Sequence, residues 1–205
     1  MKPEAIEAVS VNDPGLPERI RRRDPAALRA VVEAYLGQIL RAARGAGLDL
    51  QESEEVVQAT FTTFLETAQR FEGRSSVRTW LFGILYRKIS EARRGLGRAR
   101  QLDDIDGVME SRFRADGRWA RPPRPADADT WHREIRGAID ECLGTVPSAQ
   151  RMAFVLREVE ELTTEEICNV LEVTPTNLGV MMYRVRNRLR DCLEARGISG
   201  PEAGG

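Results

Sequence analysis

The chain has 205 residues, 31% of them charged and only 6% aromatic, with a formal net charge of -1. Mean hydropathy is -0.40, and no apolar run approaches the roughly 20 residues that span a bilayer. The opening segment MKPEAIEAVSVNDPGLPE lacks the apolar centre of a secretion signal, so a cytoplasmic location is expected, with no membrane contact by the chain itself.

Residues 1–16 carry Pro3, Pro14 and Gly15 without sustained periodicity and read as a disordered tail. The first helical block is expected over 17–95. Asp24-Pro25 opens a helix with Leu28, Val31, Val32, Tyr35, Leu36, Ile39 and Leu40 on one broad face, and Gly45 and Gly47 stop it. Ser53 is predicted to cap a second helix, with Glu54 and Glu55 in its first turn. Val56, Val57, Thr60, Phe61, Phe64 and Leu65 form its inward stripe. The acidic, polar start of this helix suits a protein partner and not a phosphate backbone. Ser75-Ser76 precede a third helix with Val77, Trp80, Leu81, Ile84, Leu85 and Ile89 apolar. Its sequence RTWLFGILYRKISEARRGLGRAR interleaves aromatics with Arg78, Arg87, Lys88, Arg93, Arg94, Arg98 and Arg100. Trp80, Phe82 and Tyr86 are expected in the core. The clustered cations point to nucleic acid.

Periodicity fails over 96–129, which is rich in Gly, Pro, Arg and Asp and reads as a flexible linker with a short helical piece around Val108 to Arg112. A second block is expected over 130–196, with a tail over 197–205. Ile135, Ala138, Ile139, Cys142 and Leu143 make one helix. Pro147 starts another, with Met152, Phe154, Val155, Leu156 and Val159 apolar.

The segment LTTEEICNVLEVTPTNLGVMMYRVRNRLR, Leu162 to Arg190, carries the strongest signal. Thr163 or Thr164 caps a short helix with Ile167, Val170 and Leu171 on its apolar face. Val173-Thr174-Pro175 breaks it, and Thr174 caps a second helix with Leu178, Met181, Met182, Val185 and Leu189 apolar. Polar residues at the start of the second helix and arginines behind them form the pattern with which a helix-turn-helix reads duplex DNA. No strand pattern of useful length occurs, so the fold class is all-α: two small helical domains on a flexible linker.

Enzyme chemistry finds no support. The single histidine, His132, has no triad around it, and no GxxxxGK[ST] loop is present. Three cysteines, Cys142, Cys168 and Cys192, an odd number without a CxxC pair, predict free thiols, with Cys168 in a helix core. A metal site from His132 and Cys142 is not favoured, and no cofactor is expected. On these residues two readings stay open: a stand-alone helix-turn-helix regulator that binds duplex DNA, and a protein-binding adaptor.

The order of parts adds a resemblance. ESEEVVQATFTTFLETAQRFEGRSSVRTWLFGILYRKISEARR resembles region two of bacterial RNA polymerase sigma factors. VPSAQRMAFVLREVEELTTEEICNVLEVTPTNLGVMMYRVRNRLRDCLE resembles their region four. The two-block form resembles the extracytoplasmic-function (ECF) subfamily. That resemblance implies binding to core RNA polymerase through Glu54, Glu55, Val57 and Gln58. It implies that Phe71, Ser75, Ser76, Arg78, Thr79 and Trp80, with Arg87 and Lys88 behind, open and read the minus-ten element. Thr176, Asn177, Val180, Tyr183 and Arg184 are implied to read the minus-thirty-five element. Gly179, Val180 and Met181 stand where the family often has a Lys-Ser-Arg run, which removes two cations.

The linker piece RFRADGRWARPPRP resembles linkers of ECF factors paired with small zinc-binding anti-sigma proteins, and Phe113 and Trp119 are candidate anchors for such a partner. A chain without partners is expected to expose both its polymerase and its DNA faces.

Overall fold

The structure, a computed structural model, describes residues 9–95 and 137–198. The expected linker, the helical piece near Val108, His132, Ile135, Phe113 and Trp119 lie outside the described residues. Among the described residues all regular structure is helical. They fall into two compact units, one containing 9–95 and 148–182, the other 137–147 and 183–198.

In the first unit, α1 (Leu16–Arg21) and α2 (Pro25–Gly45) are joined by a tight turn. Asp24 accepts a hydrogen bond from the Ala26 N–H at 2.9 Å and from Arg19 Nε at 2.7 Å, so one carboxylate starts α2 and ties it to α1. Helix α1, one turn and a half long, is too short to show a period, and Leu16, expected in a disordered tail, is instead buried with Ile20 against the turn after α3.

Helix α3 (Leu50–Thr67) begins earlier than expected. Asp49, not Ser53, is its cap: the Glu52 N–H donates to Asp49 at 2.8 Å and the Asp49 N–H donates to Glu52 at 3.0 Å. This reciprocal pair satisfies two orphan donors at once, and leaves Ser53 fully buried inside the first turns. A short 3-10 turn, Ala68–Arg70, leads toward α4 (Val77–Gly95).

Phe64, Ile39, Leu81, Phe82, Leu85 and Ile89 form the centre of the packing among α2, α3 and α4. Leu36 and Leu65, expected to face inward, are 45% and 36% exposed. Both lie at the margins of apolar faces wider than the helix contact they serve.

Residues 148–182 pack onto this bundle. Helix α5 (Ser148–Phe154) continues as a π turn, Val155–Val159. The end of α2 meets it closely. A Cβ on Gly45 would come within 2.9 Å of a Val155 methyl, and one on Gly47, whose φ is +92°, within 2.7 Å of the Arg151 guanidinium. Arg151, nearly buried, donates to the Gly45 carbonyl. The glycines read as helix stops in the sequence thus also create the space for this contact.

Helix α6 (Thr164–Leu171) starts with a second reciprocal cap, Thr163 with Glu166, and ends at Glu172 in the left-handed region, φ +57°. Thr174 then caps α7 (Pro175–Ala195), accepting from the Asn177 N–H at 3.2 Å. Caps and breakers here fall where the sequence placed them. Leu162, Ile167, Val170, Leu171 and Leu178 are buried around the turn.

In the second unit, residues 137–144 are helical. Cys142 there is bonded to Cys192 of α7, with their Cα atoms 5.8 Å apart, and Arg196 pairs with Glu141 one residue away. The expectation of three free thiols is corrected. The partners are 50 residues apart in sequence, and only packing brings them together. Cys168 is the one free thiol among the described residues and is half-buried. With its sulfur in a disulfide, Cys142 has no thiolate for a metal.

A disulfide closing a loop of this length constrains the unfolded chain. Reduction, or Cys142→Ser, is therefore expected to lower the unfolding free energy by about 2–4 kcal/mol. Urea unfolding with and without dithiothreitol checks this, and Cys168→Ser should leave the midpoint in place.

Candidate nucleic-acid interface

Helix α4 positions most of the cationic and aromatic residues singled out above. Its N-terminus is set by Ser76, whose hydroxyl accepts from the Thr79 N–H at 3.0 Å and lies 2.8 Å from the Thr79 hydroxyl. Ser75 is half-buried and Ser76 exposed. Trp80 is half-buried, not a full core residue. Its ring stacks on Phe71 at 4.8 Å and meets Phe64 edge-on at 5.5 Å. Phe71 itself is buried, so the indole is held by rings on two sides. Phe82 is fully buried and Tyr86 half-buried.

Arg78, Arg87 and Lys88 of α4 are engaged. Arg78 lies over the Phe82 ring at 5.6 Å and donates to Gln38 of α2 at 2.8 Å. Its other arm reaches residues that follow the linker: the Glu160 carbonyl at 2.6 Å and the Glu160 carboxylate at 3.3 Å. Thr79 donates its hydroxyl to Glu166 at 3.0 Å, and Arg87 pairs with Glu172 at 3.0 Å. Lys88 pairs within its own helix, with Glu91 at 3.1 Å. Arg78 and Arg87 are nine positions apart and so flank opposite sides of the face that carries Thr79, Gly83 and Tyr86. Helix α6 packs along α4.

Glu160 is 2% exposed, with Arg41 of α2 3.6 Å from its second oxygen. A carboxylate so buried is tolerable because two guanidiniums face it. The expectation that a chain without partners exposes its polymerase and DNA faces is corrected at Arg78 and Thr79, which acids of the second block engage. No local signal could have announced this. Glu160 is one of three glutamates in the run REVEEL, with no spacing that singles it out, and its partner Arg78 is 82 residues away. Gln38 and Arg41, also missed, sit on a helix whose sequence pattern shows only its apolar face.

The other candidate residues are placed as follows. On α3, Glu54, Glu55 and Gln58 are exposed, and Gln51 donates to Glu55 at 3.0 Å. Val57 is buried, on the side of α3 that meets the bundle. On α7, Thr176 and Asn177 are exposed in the first turn and Val180 is 38% exposed in the second. Tyr183 and Arg184 follow one turn later and are half-buried; they belong to the second unit.

Partial burial pushes the Glu166 carboxyl up. Hydrogen bonds from the Thr163 N–H and from the Thr79 and Thr163 hydroxyls, with Arg78 nearby, outweigh that and hold it below its ordinary 4.5. A depressed carboxylate stabilises the fold fully above its ordinary value and loses that contribution as pH falls through the lower folded value. Glu166→Gln should therefore cost about 1 kcal/mol near pH 6 and progressively less below pH 4.5. Urea titrations across pH 3.5 to 6 check the convergence of the two proteins.

Sequence comparison places this geometry. The pattern of sigma-70 region 2 matches residues 31–99, and that of sigma-70, region 4 matches residues 136–189. A probable RNA polymerase sigma factor of Haemophilus influenzae is 30% identical over 152 residues, covering 70% of this chain and 78% of that protein. The RNA polymerase sigma-H factor of Pseudomonas aeruginosa is 28% identical over 188 residues, 89% of this chain and 94% of that protein. The ECF RNA polymerase sigma-E factor of Escherichia coli is 23% identical over 179 residues, 87% and 93%. Among solved structures, CnrH in complex with the cytosolic domain of CnrY aligns with a TM-score of 0.63 at 20% identity, covering 88% of this chain and 96% of that one. The sigma factor RpoE in complex with the anti-sigma factor NepR from Bartonella quintana gives 0.60 at 20%, covering 81% and 96%; both share the fold. Two regions in this order over most of the sequence make this chain a member of the RNA polymerase sigma-factor family, of the extracytoplasmic-function type.

Proposed function

We propose that this chain binds core RNA polymerase and directs it to promoters built of two spaced elements. The observation that carries this is the pairing of a region-two block and a region-four block in one chain. Phosphodiester chemistry stays with the polymerase, and this chain supplies recognition from the cytoplasm.

Each proposed surface has a physical rationale. The exposed carboxylates Glu54 and Glu55, with Gln58, form a polar, acidic face that phosphates repel and a basic protein surface attracts. Helix α4 suits a melted strand. Unstacking a base costs a few kcal/mol, and capture by aromatic and polar groups offsets that cost. Trp80, half-buried and backed by the buried Phe71 ring, supplies the aromatic surface, Ser75, Ser76 and Thr79 the hydroxyls, and Arg78, Arg87 and Lys88 the charge. Helix α7 suits duplex DNA. Thr176, Asn177 and Val180 are exposed in its first turns, the part of a recognition helix that meets base edges in the major groove; Tyr183 and Arg184 follow along the helix. With one element bound, the second contact becomes intramolecular.

An anti-sigma protein is the proposed regulator. The solved relatives CnrH and RpoE are each complexed with another protein, and in RpoE's case that protein is an anti-sigma factor. A small zinc-binding partner is the form the linker composition suggests.

Run-off transcription on a promoter-fragment library tests the reading. Transcripts are expected only when core polymerase and this chain are both present, from fragments that share two spaced elements. Absence of transcripts, with tight duplex binding by the chain alone, would make it a stand-alone regulator instead.

Asn177→Ala should cost about 1–3 kcal/mol of promoter affinity and relax preference at one upstream base pair. Competition binding by the holoenzyme on single-position variants reads both effects.

A further inference from the structure

We propose that Glu160, Glu166 and Glu172 act as an intramolecular stand-in for DNA phosphates, closing the strand-reading face of α4 until DNA displaces them. The proposal rests on the reading of α4 given above and adds a regulated state to it.

The three acids stand six residues apart and bracket α6: one before it, one in its first turn, one at its C-cap. Each meets a donor on α4. Glu160 takes Arg78, Glu166 takes the Thr79 hydroxyl, and Glu172 takes Arg87. All three donors belong to the set that would contact the downstream strand. Carboxylate and phosphate oxygens accept from guanidinium and hydroxyl groups in the same way, so a donor held by one is withheld from the other. Thr79 is 4% exposed in this arrangement, out of reach of a base or a phosphate.

The strength of the closure is graded. Arg87 and Glu172 are both exposed, and such a pair contributes little and weakens with salt. Glu160 is the strong point, sealed between Arg78 and Arg41. Its oxygen nearer Arg41 nonetheless has no hydrogen bond. A buried carboxylate left partly unsatisfied holds the closed state without making it deep, which suits a contact that must open. Arg78, on losing Glu160, regains a charge partner from a nucleic acid strand.

The test uses the full chain and a fluorescein-labelled pool of random single-stranded 12-mers. Glu160→Gln/Glu172→Gln is compared with Glu161→Gln/Glu165→Gln, a control that makes the same change in net charge at exposed neighbours. The first variant is expected to bind the pool at least tenfold tighter than the control, and to show a larger radius of gyration by small-angle scattering. Equal affinity, or a tighter complex with no change in radius, overturns the proposal; so does an increase in radius without an increase in affinity. Should the double variant not fold, Glu172→Gln against Glu165→Gln makes the same comparison, with a smaller expected gain of about threefold. Run-off transcription by the wild-type chain is measured in parallel. Its failure would overturn the initiation reading, whereas unchanged affinity and radius with transcription intact would overturn the closure alone.

Discussion

The arrangement of the first unit depends on one carboxylate removed from water. Glu160 belongs to the second block in sequence, yet it is buried between Arg41 of α2 and Arg78 of α4. Taking an ion out of water costs several kcal/mol, and only close opposite charges recover it. The two arginines are therefore committed as a pair: remove Glu160 and both face an emptied site, remove either arginine and a buried negative charge is left under-compensated. Apolar packing around Leu156, Leu162 and Ile167 brings the segment to the bundle, but apolar contact is not directional. The ion pair, with the Arg151 contact to the end of α2, fixes where along α2 and α4 that segment sits.

Local chemistry was legible in the sequence where its cause is local. Asp24, Thr163 and Thr174 cap helices because a short acceptor precedes an apolar period, and each does so in the structure. The same logic misplaced the start of α3. Ser53 with Glu54 and Glu55 looks like a cap and first turn, but Asp49 with Glu52 makes the reciprocal pair and wins by closing two donors instead of one. What escaped the reading depends on distance along the chain. Cys142 and Cys192 meet across 50 residues, and Arg78 and Glu160 across 82. No spacing rule connects such pairs, because the turns between them, not the residues themselves, decide whether they meet. The family resemblance singled out cations and hydroxyls on α4 but could not say which groups they touch within this chain.

Charge on this molecule is divided by helix. Helix α3 presents Glu54, Glu55 and Gln58 to solvent, and α4 carries Arg78, Arg87 and Lys88. A net charge of -1 over the whole chain conceals this division. Such a division separates partners by sign: an acidic face repels phosphates and suits a basic protein surface, and a cationic helix attracts polyanions.

That division also explains why acids of α6 and its flanks are suited to face α4. A helix rich in cations and bared to water carries a self-repulsion that grows with each added arginine, and it attracts any polyanion without regard to sequence. Glu160, Glu166 and Glu172 relieve the first and limit the second. They do so at separate points, so the closure is lost stepwise as a strand arrives, first at the exposed Arg87–Glu172 pair and last at the sealed Arg78–Glu160 pair. Selectivity follows from the order. A polyanion that engages only the exposed end competes for one weak pair. A strand that also offers a base to the half-buried Trp80 would gain stacking energy, absent from a bare polyanion, with which to displace the buried one.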